Sequence, residues 1–175
     1  MMEARQNVWL KHRGQTLNTD SLNYDRLYNN AYFFEGGTLT DKNQKLVADW
    51  GQYNTQTREA VFYYNVKMIE GDRVITTDTL HYNTQNSMAH VLGPSKITSK
   101  TGVIETRDGY FDTKTSKSKL FGRSTVNDKD KTITGDSLYY DDKTGQSEGY
   151  GDVIYVDKKN NNSLLCQRFN YNEKT

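Results

Sequence analysis

The side chains with reactive potential are few and scattered. Histidine occurs at His12, His81 and His90, cysteine only at Cys166, and close acid pairs at Asp141–Asp142 and Asp128–Asp130. Metal-dependent proteolysis would call for His-Glu-x-x-His, serine hydrolysis for Gly-x-Ser-x-Gly, thiol redox chemistry for Cys-x-x-Cys and nucleotide hydrolysis for a P-loop, and the sequence carries none of them. The acid pairs stand in "YYDDKTG" and "NDKDK", where turn formation accounts for them. A glycosidase pair would need a cleft between its carboxyl groups, and no segment supplies one. Catalysis, a metal and a cofactor are therefore not expected. One acid does recur in a pattern. Asp78 sits inside "ITTDTLHYN", and near-copies of that phrase occur as "LNTDSLNYD" from Leu17 and "ITGDSLYYD" from Ile133.

The copies belong to a 29-residue repeat, and several independent columns keep its interval. Leu17, Leu46, Ile75, Ile104 and Ile133 form one column, and Leu22, Leu80 and Leu138 lie in another. Tyr24, Tyr53, Tyr82, Phe111 and Tyr140 form a third, each followed by Asp or Asn. Further columns are Phe33, Phe62, Val91 and Leu120, and Leu39, Met68, Ile97, Val126 and Tyr155. A last copy begins at Leu164, two places later than the interval requires, with "DKKNNN" supplying a two-residue turn insertion.

Each repeat reads as two strands joined by polar turns such as "NTQN" and "EGDR". In the second strand Ala60, Phe62, Tyr64, Val66 and Met68 share one face by parity. Glycine recurs near its middle, at Gly36, Gly93, Gly122 and Gly151, which suits a bend. In the first strand Ile75 has the opposite parity to Leu80 and Tyr82, so a bulge near Asp78 is needed for all three to face inward. Asp20, Asp49, Asp78 and Asp136, with Arg107 in the fourth copy, are expected to mark this bend and to cap backbone N–H groups there. His81 and His90 fall in variable, outward columns.

Lys plus Arg (23) nearly balances Asp plus Glu (22), which gives no global footprint for nucleic acid. Only 34% of residues are hydrophobic, yet 13 Tyr and 6 Phe accompany a single Pro, which favours a thin, strand-rich protein. No run approaches the length of a membrane helix. "MMEARQNVWLKHRG" lacks the apolar core of a signal peptide, and the doubled Met reads as an added start.

The phrase D-x-L-x-Y-[DN], a turn, a small residue and then G-x-V is carried by "TDTLHYN", "TGDSLYYDDKTGQSEGYGDVIYV" and "NTDSLNYD". It resembles the OstA/LptA-like family of periplasmic lipopolysaccharide-transport proteins, over essentially the whole chain. That resemblance implies an all-β fold: an open, twisted, slit-like antiparallel β-jellyroll of about a dozen strands, as one domain over 1–175. It implies a periplasmic, non-enzymatic protein whose groove holds lipopolysaccharide acyl chains. Its expected lining is the columns above from Leu22 onward, leaving out Leu17, together with Val66. The partners implied are neighbouring jellyrolls of a transport bridge, or further copies of this chain, stacked by edge strands. The chain starts inside a second strand and stops after a first strand, so a longer array is expected. The alternative is a parallel β-helix in which each repeat is one three-strand rung, acting as a polysaccharide-binding, polysaccharide-cleaving or adhesin module; tight reversals at both turns would argue against it.

Overall fold

The first strand of each of the first five copies ends at the Asp or Asn that follows the aromatic column, and that side chain is the reason. In the computed structural model, which describes residues 1–12 and 14–172, the side-chain oxygen of Asn54 accepts the backbone N–H groups of Gln56 and Thr57, both at 2.9 Å. Asp25, Asn83, Asp112 and Asp141 do the same two and three residues ahead. Such side-chain capping starts a turn at the expense of further extension. The turn then closes through a residue with positive φ, at Asn29, Arg58, Ser87, Ser116 and Gly145, which again keep the interval of the repeat.

The chain divides into two compact units, Met1–Ser87 and Met88–Thr175. The first contains β1 (Met2–His12), β2 (Gln15–Asp25), β3 (Asn30–Phe33), β4 (Gly37–Asp41), β5 (Gln44–Ala48), β6 (Trp50–Asn54), β7 (Glu59–Glu70) and β8 (Arg73–Asn83). The second contains β9 (Met88–Thr98), β10 (Gly102–Asp112), β11 (Lys117–Asp128), β12 (Lys131–Asp141), β13 (Ser147–Asp157) and β14 (Asn162–Tyr171). All strand pairings within either unit are antiparallel among the described residues. Reversal at both kinds of turn overturns the parallel β-helix alternative.

Fourteen strands replace the expected dozen because two long strands of the first unit are interrupted. β2 pairs with β4 through its first half and with β3 through its second. β7 likewise pairs with β6 and then β5. β3 and β4 are thus the halves of one second strand, broken around Gly36, and β5 and β6 those of one first strand, broken at Asp49.

The uninterrupted strands bend at the same place by a bulge. Tyr63 and Val66 of β7 face Thr79 and Thr77 of β8, so β7 carries one extra residue there. The same excess occurs in β1, β11 and β13. At these points Gln6 and Asn7, Tyr64 and Asn65, Gly122 and Arg123, and Gly151 and Asp152 all have positive φ. Gly36 and Gly93 hold the equivalent places in the other two second strands, with φ of 76° and 86°. An extra residue in one strand of a pair sharpens its bend and twist, and glycine meets the left-handed backbone at little steric expense.

Candidate functional site: an apolar slit between two β walls

The bends divide each unit into two walls. In the first unit one wall holds Leu17, Leu39, Leu46, Val66, Met68 and Ile75, and the other Leu22, Phe33, Tyr53, Phe62, Leu80 and Tyr82; all twelve are buried. In the second unit Ile97, Val126 and Ile133 are buried on one wall, and Val91, Phe111, Leu120, Leu138 and Tyr140 on the other. Three residues expected at the groove, Tyr24, Ile104 and Tyr155, are half-buried.

The parity change required in the first strand is present. In β8 the buried residues are Ile75 and Thr77, then Leu80 and Tyr82. The extra residue that permits the change lies in the partner strand β7, opposite Asp78, and not in β8. The aspartates accordingly face a neighbour's bulge. Asp20 accepts the Asn7 backbone N–H at 3.1 Å. Asp49 accepts Asn65 Nδ2 at 2.6 Å. Asp136 meets Arg123 Nη1 at 3.3 Å. Asp78 is exposed and accepts no such bond among the described residues.

The carbonyls freed at the bends are met by another column. Thr19 Oγ1 donates toward the Gly36 carbonyl at 2.6 Å. Thr77 Oγ1 reaches the Thr79 carbonyl at 3.1 Å. Thr106 Oγ1 reaches the Asp108 carbonyl at 2.9 Å and shares a 2.7 Å bond with Ser124. These threonines are buried, and a buried hydroxyl or carbonyl without a partner would be costly. Their regular spacing was visible in the sequence, and half-buried Cys166 faces Val153 in the last copy of that column.

The walls of the first unit close on each other in two ways. The Phe33 ring fills the space above two glycines, one on each wall: a Cβ on Gly37 would stand 2.5 Å from it, and one on Gly51 2.6 Å. Tyr82 Oη donates to Gln44 Oε1 at 2.9 Å, and the His12 and Tyr53 rings meet edge-on with centroids 6.3 Å apart. Beside that edge the slit leaves a small apolar recess of about 20 Å³, lined by Leu10, Leu17, Leu39, Phe33, Tyr53 and Phe62, with His12 and Gln15 at its border.

In the second unit the corresponding edge carries charge. Lys131, in the Gln44 column, lies 2.9 Å from Asp128 with both side chains largely buried, and its ammonium stands 4.9 Å from the centre of the Tyr171 ring. Burial pushes the Asp128 carboxyl up, but bonds from Lys131 and from the Lys131 and Asp130 N–H groups outweigh it and hold it below the usual carboxylate range. Tyr155 packs against Phe169, centroids 4.9 Å apart, and Tyr171, 5.9 Å. Burial first, then Tyr171 and Asp157, push the Tyr155 phenol up.

The potentially reactive residues are dispersed over these elements. His12 borders the recess, His81 points outward from β8, and His90 bonds Asp108 at 2.8 Å. Asp128 and Asp141 cap turns through backbone N–H groups.

The family model described as OstA-like protein matches residues 1–73 and 65–136. The chain belongs to the OstA-like family. Among solved structures this OstA-like chain is similar to LptH of Pseudomonas aeruginosa, described as the LptA-homologous periplasmic component of the conserved lipopolysaccharide transport device. The two are 16% identical, the match covers 62% of this chain and 82% of that one, and the TM-score is 0.56. That likeness lies in the fold, a slit-like antiparallel jellyroll. No curated protein sequence matches the chain.

Proposed function

We propose that this chain holds acyl chains of lipopolysaccharide between its two walls and forms a non-enzymatic segment of a periplasmic bridge that carries the lipid to the outer membrane. The observation that carries this reading is the pair of facing apolar walls, which meet side chain to side chain and leave a small recess beside Leu10, Leu17 and Phe33, so that acyl chains enter as the walls part. Each methylene transferred from water to such a surface contributes about 0.8 kcal/mol, so an acyl chain needs no specific polar contact. OstA-like membership and the fold shared with LptH support the same reading. Movement along the slit draws its energy from partners.

Those partners join by strand addition. β1 and β14 each pair on one side only among the described residues, and an unpaired edge accepts a further strand. Trp9 of β1 and Leu164 and Leu165 of β14 are exposed along these edges. The added strand comes from another jellyroll of the bridge or from a second copy of this chain.

Photo-crosslinking residues at Phe62, Ile75 and Leu138, with outward controls at His81 and Lys67, test the slit. Lipopolysaccharide is expected to label the three inward positions. Labelling at the controls with none at the inward positions would end the proposal.

A further inference from the structure

The outer face of one wall in the second unit has a composition that packing does not require. Across the strands one row reads Tyr110, Lys119, Tyr139 and Glu148, each paired with the next. The row beside it reads Asp108, Phe121, Ser137, Tyr150 and Arg168. Aromatic residues therefore alternate with polar ones along each row, and the two rows are out of step, so the rings form a checkerboard.

Tyr110 and Tyr150 are 42% exposed and Phe121 is 38% exposed, so their rings offer area to a ligand and not to the core. The rings are held in place. Tyr110 stacks on His90 with centroids 4.0 Å apart and meets Phe121 edge-on at 6.4 Å. Arg168 lies 5.4 Å from the Tyr150 ring centre, and Tyr150 Oη donates to Glu148 at 3.3 Å. Among the described residues nothing pairs with the Lys119 ammonium. Between the rings lies a shallow depression of about 470 Å³, lined chiefly by Lys119, Phe121, Tyr139, Gln146, Glu148 and Tyr150.

We infer that this face, across Tyr110, Phe121, Tyr139 and Tyr150, is a binding site for a neutral glycan strand. A pyranose ring has an apolar C–H face, which an aromatic ring can cover, and a rim of hydroxyls, which needs donors and acceptors at its edge. The checkerboard supplies a polar group beside every ring. Its charges also match a neutral ligand: Lys119 and Arg168 are offset by Asp108 and Glu148. A nucleic acid would call for an excess of cations, and a protein partner for a continuous apolar centre with charge excluded. From β10 to β13 the site spans three strand spacings, about 14 Å, enough for a short oligosaccharide. It lies on the outside of the wall and does not depend on the slit being occupied.

Saturation-transfer NMR and calorimetry on the whole chain test this with maltohexaose, cellohexaose and the polysaccharide freed from lipopolysaccharide by mild acid. Lipid A serves as the arm without that polysaccharide. At least one glycan is expected to bind, and Phe121→Ser combined with Tyr150→Ser to weaken it about tenfold or more, the loss of roughly one good contact. Tyr150→Phe keeps the ring and is expected to retain most of the affinity. Circular dichroism and the thermal midpoint check that the variants fold. If Phe121→Ser with Tyr150→Ser is unfolded, each single substitution is measured in its place. A free hexaose that binds supports a general glycan site; binding of the released polysaccharide alone supports the site where it persists at high salt and overturns the neutral-ligand reading where salt abolishes it, because that polysaccharide carries acidic groups. Failure of every glycan to bind, or equal binding by the folded serine variants, would overturn it. Failure of the slit would instead show as absent labelling at Phe62, Ile75 and Leu138.

Discussion

Tyr82 donates its hydroxyl to Gln44 over 2.9 Å, yet their partners on β7, Ala60 and Glu70, stand at opposite ends of that strand. A straight strand would separate those positions by about 33 Å. The bond therefore records how far β7 folds back at Tyr64 and Asn65. Lys131 and Tyr171 repeat the relationship around β13, where their partners are Asp157 and Ser147. Removing the hydroxyl with Tyr82→Phe should leave the fold intact and lower stability by about 1 kcal/mol, measured by urea unfolding. If acyl chains enter by parting the walls, the same variant should take up a fluorescent lipid faster in stopped flow.

The bend glycines should differ in their tolerance of a side chain. Gly122 has φ of 71° and no atom within 4 Å of a built Cβ, whereas at Gly151, with φ of 74°, that Cβ would lie 2.5 Å from Asp136 Oδ2 and 2.9 Å from its Cβ. Gly122→Ala carries the left-handed backbone penalty alone, about 1–2 kcal/mol. Gly151→Ala adds a clash and should lose distinctly more, with the two compared by denaturant midpoint at equal slope.

The turns offer the reverse change. Arg58 and Ser116 have φ of 62° and 64° in the column that Gly145 also occupies. Arg58→Gly and Ser116→Gly relieve a left-handed penalty of about 1–2 kcal/mol against the extra chain entropy of glycine, about 0.5–1 kcal/mol. Each should raise the thermal midpoint modestly. A fall would show that the parent side chains make contacts that matter more.

Acid should weaken the fold through three turn carboxylates. Asp128, Asp157 and Asp112 are all held below their ordinary pKa: Asp128 by Lys131 against the effect of burial, Asp157 chiefly by Asn160, and Asp112 chiefly by the Thr115 N–H. A folded-state pKa below the unfolded value of about 3.9 gives stability that is complete above that value and is lost as pH falls through the folded pKa. Unfolding free energy should thus be flat near neutrality and decline below about pH 4. Asp128→Asn should make that decline shallower. It should also cost about 3 kcal/mol at pH 7 by leaving the buried Lys131 without its counter-charge.

The features legible in the sequence are those with a local physical signal. Alternation in "AVFYYNVKMI" placed Phe62, Val66 and Met68, all buried, but it also put Tyr64 on that face, whereas Tyr64 sits in the bulge with positive φ and is exposed; turn residues after each aromatic column marked the reversals. Gly36, Gly93, Gly122 and Gly151 marked bends because a backbone with positive φ selects for them. The parity of Ile75 and Leu80 required a bulge, but parity cannot say which strand of a pair holds the extra residue, and β7 holds it rather than β8. Contacts made by folding a strand back were hidden for the same reason. Gln44 with Tyr82, and Lys131 with Tyr171, are separated by more than a whole repeat and meet only after the walls close. The checkerboard around Tyr139 was hidden too, because it needs the register of neighbouring strands.

The capped turn that ends each first strand carries a consequence for descent. Its bonds run from Asn54 to Gln56 and Thr57, or from Asp112 to Lys114 and Thr115, within a single copy. Duplicating one repeat's length of coding sequence would therefore bring along its own punctuation, and deleting one would remove it cleanly. Copy number can drift in an OstA-like lineage without any new joint having to be invented.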